Sequence, residues 1–118
     1  MIIHVVLFRP RPDLSHDERG ALVASFSRAL REIPSIRQSR VGRRITHGRG
    51  YEQLMRENYE FIAVLEFDDV EGLKAYLEHP AHAELAERFF NAFDAALMYD
   101  YELGSEAGFG LSALGSVR

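Results

Sequence analysis

Five histidines, His4, His16, His47, His79 and His82, are the side chains best suited to move protons near neutral pH, and five tyrosines supply phenols, Tyr76 among them. An imidazole titrates near pH 6.5, and a phenol can hydrogen-bond the oxyanion that proton removal creates. By residue type, His82 and Tyr76 could fill the base and donor roles of an aldol-type proton transfer. The two meet only if the break at His79-Pro80 folds the chain back on itself. His79 and His82 would serve as well to finish and cap the helices around Pro80, and His79 is read that way. His4 has apolar strand neighbours, so it suits a hydrogen-bonded core histidine as well as a pocket wall. His16 and His47 sit in polar segments where water solvates them. His79-x-x-His82, with His4 and a nearby Glu, has the ligand types of a divalent-metal site, yet no carboxylate is tied to it by spacing. No metal ligand is assigned.

Other chemistries lack their residues. The chain has no cysteine, which removes disulfides, thiolate ligands and cysteine nucleophiles, and fits a reducing, cytoplasmic setting. Ser25, Ser27 and Ser35 have no Gly-x-Ser-x-Gly context, and Gly48-Arg49-Gly50 is too short for a phosphate loop. No cofactor is expected. The net charge of −4 argues against a nucleic-acid partner. No stretch reaches membrane-spanning length, and the opening apolar run is too short for a signal peptide and is followed by Arg9. Arg37, Arg40, Arg43, Arg44 and Arg49 would suit an anion at a cavity mouth, but such a run more often keeps a strand edge soluble.

These residues must be held by one domain, since 118 residues are too few for two cores. Residues 2–9 read as a strand stopped by Pro10 and Pro12. Ser15-His16-Asp17-Glu18 has the form of a capping box. Leu22, Val23, Phe26, Leu30 and Ile33 continue at helical spacing to Pro34. Residues 36–46 suggest a strand with one charged side, and 47–58 a loop with a short turn around 52–56. Residues 61–67 are the clearest strand, with Asp68 placed to cap the helix that follows. Beyond Pro80 a further helix is predicted over 81–93, its Phe89, Phe90 and Phe93 forming core together with Phe26. A fourth strand is predicted over 97–103. Residues 1–103 make the domain, and 104–118 are a Gly/Ser/Ala-rich extension in which Phe109, Leu111 and Leu114 are available for docking.

The order β-α-β-β-α-β, its second helix split at Pro80, predicts a ferredoxin-like α+β fold with a four-stranded antiparallel sheet. Helices then cover one face only, whereas the strands at 2–9 and 61–67 are apolar on both. The uncovered face spans roughly 350 Å². Hiding it contributes on the order of 9 kcal/mol per subunit before the entropy of association. A homodimer through the sheet face is expected, and the space between two facing sheets would offer a cavity.

His4 in an opening HVVLF strand, Ile33-Pro34 ending the first helix, Tyr76-Leu77-Glu78-His79-Pro80-Ala81-His82, and a Tyr99-Asp100-Tyr101 strand together resemble the stress-responsive dimeric α/β-barrel (Dabb) family over residues 2–102. The resemblance implies two ferredoxin-like subunits whose sheets form a barrel, with a cavity in each subunit. One plant member is a cofactor-independent polyketide cyclase whose catalytic Tyr and His match Tyr76 and His82. A pocket-lining histidine of its first strand matches His4. At Phe61 the cyclase has another pocket histidine, so the resemblance does not carry the cyclase's substrate over to this chain. With Phe61 and Phe89 added as pocket walls, the expectation is a small, largely apolar oxygenated ligand and cofactor-free lyase or cyclase chemistry. A non-catalytic binding or stress-related protein, and a cofactor-free monooxygenase of the wider ferredoxin-like dimer class, are the alternatives.

Overall fold

The structure is a computed structural model that describes residues 1–104. Its elements are β1 (Ile2–Pro10), α1 (His16–Glu32), β2 (Gln38–Arg43), a 3₁₀ turn (Gly50–Leu54), β3 (Phe61–Phe67), α2 (Val70–Glu78), α3 (Pro80–Ala92) and β4 (Phe93–Glu102). The strands form one antiparallel sheet in the order β2-β3-β1-β4. This is the ferredoxin-like α+β arrangement that the strand and helix order predicts. Of the 104–118 extension, all but Gly104 lies outside the described residues.

Local chemistry sets most element ends. Ser15 and Glu18 form the reciprocal capping box, each side chain bonded to the other residue's backbone N–H. Asp69, not Asp68, caps α2, accepting from the Gly72 N–H at 2.8 Å. Three residues separate cap from donor in that geometry, and Asp68 instead pairs with Arg37. Phe93 leaves the helix and opens β4, because an apolar residue there satisfies a helix stripe and a strand alternation equally. β2 is shorter than predicted and its charge is not confined to one side. Arg40 stands opposite Val64, whereas Arg43 shares the face of Val41 and Ala63. An edge strand tolerates charge on both faces.

The even-numbered β1 residues Ile2, His4 and Val6 are buried and pair with Phe67, Leu65 and Ala63. Against that face pack Ile33, Leu73, Tyr76, Ala81 and Leu85 from the helices and the turn after α1. In α1 the buried residues are Ser25 and Ala29, while Val23 is exposed. Small side chains there let α1 approach α3, whose Ala81 is equally buried. On the opposite face Ile3, Val5, Leu7, Ile62 and Val64 are half-buried and Tyr99 and Tyr101 exposed, as the two-sided patterning of the strands requires.

Candidate active site

Pro80 builds the site by forcing a corner. Proline has no N–H to donate inside a helix but fits the first turn of a new one, so α2 stops and α3 starts there. His79 serves both ends of the break. Its backbone N–H reaches the Tyr76 carbonyl, and its Nδ1 accepts from the Ala81 N–H at 3.0 Å. That commitment makes His79 structural and withdraws one nitrogen from any His-x-x-His ligand pair. Among the described residues no group of three His, Cys, Asp or Glu side chains is placed to share a metal ion.

The same corner brings the last turn of α2 over the first turn of α3. The rings of Tyr76 and His82 meet edge to face, their centroids 4.6 Å apart. From β1, the His4 ring lies 5.7 Å from that of Tyr76. β4 supplies a fourth member. Asp100 stands directly across the ladder from His4, and its Oδ1 lies 2.6 Å from His4 Nδ1. An ionised carboxylate only accepts, so Nδ1 carries the proton in this contact and the hydrogen bond fixes the orientation of the His4 ring.

Burial sets the protonation of the pair. It pushes the Tyr76 phenol up to about 12, with the Asp100 charge adding to the effect. Tyr76 therefore stays protonated and donates. Burial also holds the His82 imidazole below its ordinary value, reinforced by the neighbouring His4 and opposed by a hydrogen bond to the Leu77 carbonyl. His82 is thus neutral near pH 7 and free to accept a proton.

These groups open onto a cavity of about 550 Å³ whose walls are otherwise almost entirely apolar. His4, Tyr76 and His82 line it, and so do Phe61 and Phe89. The five candidate residues are thereby brought together. The cavity lies between the helices and the sheet, on the face that carries His4, and not against the open sheet face where a chamber between two subunits would be. Phe89 and Phe93 line it rather than filling a solid core, Phe26 lines it while packing against the core, and Phe90 at its edge is exposed. Periodicity reports which side of a helix is apolar but not whether the space it faces is filled. A second hollow of about 490 Å³ is a charged surface groove lined by Arg11, Glu18, Glu84 and Arg88. Most of its charges are spent on one another, Arg11 on Glu18 and Arg88 on Glu84, with Arg28 also pairing with Glu84.

Asp100 is the member that sequence reasoning missed. Its signal was its place in the Tyr99-Asp100-Tyr101 alternation, which puts a carboxylate on the helix-facing side of a strand, but the partner lies 96 residues away.

The model of the stress-responsive A/B barrel domain family matches residues 2–103. Olivetolic acid cyclase from Cannabis sativa is 19% identical over 98 residues, spanning 83% of this chain and 92% of the cyclase. Hydroxynitrile lyase from Passiflora edulis superposes with a TM-score of 0.74 at 16% identity, covering 88% of this chain and 94% of the lyase. A dimeric ferredoxin-like protein of unknown function from Thermobifida fusca superposes with a TM-score of 0.66 at 22% identity, covering 86% and 90%. At these identities the two structural likenesses are likenesses of fold.

Proposed function

The chain belongs to the stress-responsive A/B barrel domain family, and from that premise we propose that it is a cofactor-independent enzyme acting on a small carbonyl compound held in the cavity beneath its helices. One observation carries the reading. Tyr76, a donor held neutral by burial, and His82, an unprotonated base, touch each other at the wall of an apolar cavity. His82 removes a proton from the carbon next to the carbonyl, and the Tyr76 hydroxyl donates a hydrogen bond to the enolate oxygen that forms. A positioned base of this kind contributes about 10²–10⁴ in rate. His4, oriented by its hydrogen bond to Asp100, lines the cavity beside them. Aldol-type bond making or breaking follows from the same enolate, which is in keeping with a cyclase among the relatives of the chain.

A homodimer through the open sheet face belongs to the proposal. Ile3, Val5, Leu7, Ile62 and Val64 leave that face apolar, and the Thermobifida fusca neighbour is dimeric. The subunit cavity is on the other face, so pairing leaves it accessible.

Deuterium exchange at the α-carbons of 4-phenylbutan-2-one in D₂O, followed by NMR, tests the chemistry without the natural substrate. The wild-type chain accelerates exchange, and His82→Ala and Tyr76→Phe each lose most of the acceleration. Exchange no faster with wild type than with buffer contradicts the catalytic reading. Saturable binding of the ketone under those conditions would favour the second reading, a carrier, which the mainly apolar walls also support.

A further inference from the structure

The cavity is polar at one end and aromatic at the other. His4 pairs across the sheet with Leu65, and Phe8 with Phe61. Both pairs stand on the same face, four residues apart along β1 and therefore separated by about 13 Å. At the His4 end lie Tyr76, His82 and Asp100. At the Phe8 end Phe89 of α3 and Phe93, the first residue of β4, complete a continuous array of rings. Phe8 stacks on Phe61 with centroids 5.6 Å apart and planes 21° apart, and meets Phe89 edge-on at 5.7 Å and 69°. Phe93 closes the array, 4.6 Å from Phe8 and 4.2 Å from Phe89. All four line the cavity and none is fully buried, so part of each ring still lacks a neighbour. Between the two ends the walls are aliphatic, with Val6 paired to Ala63 on the sheet.

From this division we infer that the ligand is aryl-terminated, a carbonyl or hydroxyl head carried on a short spacer from an aromatic ring that docks against Phe8, Phe61, Phe89 and Phe93. The inference rests on the proposed reading of the cavity as a ligand site and adds the class of tail. A ligand ring inserted into this array gains electrostatic contacts with ring faces and edges that a saturated ring of equal size does not. Burial of area alone would favour the saturated ring, which is the more hydrophobic of the two, so a preference for the aryl ring isolates the array.

Calorimetric titration with 4-phenylbutan-2-one and 4-cyclohexylbutan-2-one, which share head, spacer and ring size, measures that preference. The phenyl ketone binds about two- to tenfold more tightly, and Phe61→Leu and Phe89→Leu each reduce the ratio toward one. Circular dichroism identifies any variant that fails to fold, and the two replacements lie on different elements, so either suffices. Tyr76→Phe weakens both ketones alike and leaves their ratio unchanged. Equal affinities, or tighter binding of the cyclohexyl ketone, overturn the aryl assignment while the head-group reading stands on the Tyr76→Phe result. A phenyl preference that Tyr76→Phe abolishes also overturns it, because the preference then originates at the polar end. Failure of either ketone to bind removes the ligand-site reading and this inference together.

Discussion

Replacing Tyr76 with Phe tests the electrostatic basis of the site before any substrate is known. The phenol is 4% exposed, and burial with help from Asp100 raises its pKa from 10.0 to about 12. In the unfolded chain it returns to its ordinary value. Because the folded value is the higher one, the contribution to stability is fully present below about pH 10 and is lost as pH rises toward 12. Two units amount to about 2.7 kcal/mol, of which about 2 kcal/mol is gone by about pH 11.5. Urea unfolding followed by circular dichroism at about pH 8 and about pH 11.5 measures the loss. Titration of the other tyrosines and of Lys74 is common to both proteins and cancels in the comparison. Wild type loses about 2 kcal/mol more than Tyr76→Phe over that interval. Parallel losses would mean that the native hydroxyl is hydrated, and the reasoning that makes Tyr76 a neutral donor at neutral pH would fail.

His82 acts in the opposite window. Its folded pKa is depressed, so its contribution is complete above the ordinary histidine value and disappears as pH falls through the lowered one, and acidification below about pH 6.5 lowers the Tm of wild type more than that of His82→Gln. His79→Ala removes an N-cap acceptor, costs about 1 kcal/mol in chemical denaturation, and leaves ketone affinity unchanged in titration. Val5→Glu places a charge on the open sheet face; sedimentation shows the variant as a monomer and wild type as a dimer, while a dimeric variant would place the interface elsewhere.

Much of this fold is legible along the chain. The two-sided apolar alternation of residues 2–8 and 61–67 marks strands with both faces in use, and the observed register confirms which residues share a face. Ser15 with Glu18, and Pro80, mark helix starts because their chemistry is local. Local signals stop short where the answer depends on a distant partner. Asp100 gains its role only when β4 lies beside β1, a pairing no spacing rule specifies. The cavity is illegible for a related reason. Phe61, Phe89 and Phe93 carry the same pattern whether they pack against one another or wall a space, and only the standoff between helices and sheet decides between the two. That standoff places the cavity under the helices, where the Tyr76 and His82 rings meet.

A crystal structure of the chain soaked with 4-phenylbutan-2-one measures the central claim most directly. The account places the carbonyl oxygen within hydrogen-bond distance of the Tyr76 hydroxyl, beside His82, in the cavity between helices and sheet. Ligand density confined to the open sheet face, or a cavity left empty at saturating ketone, would contradict it.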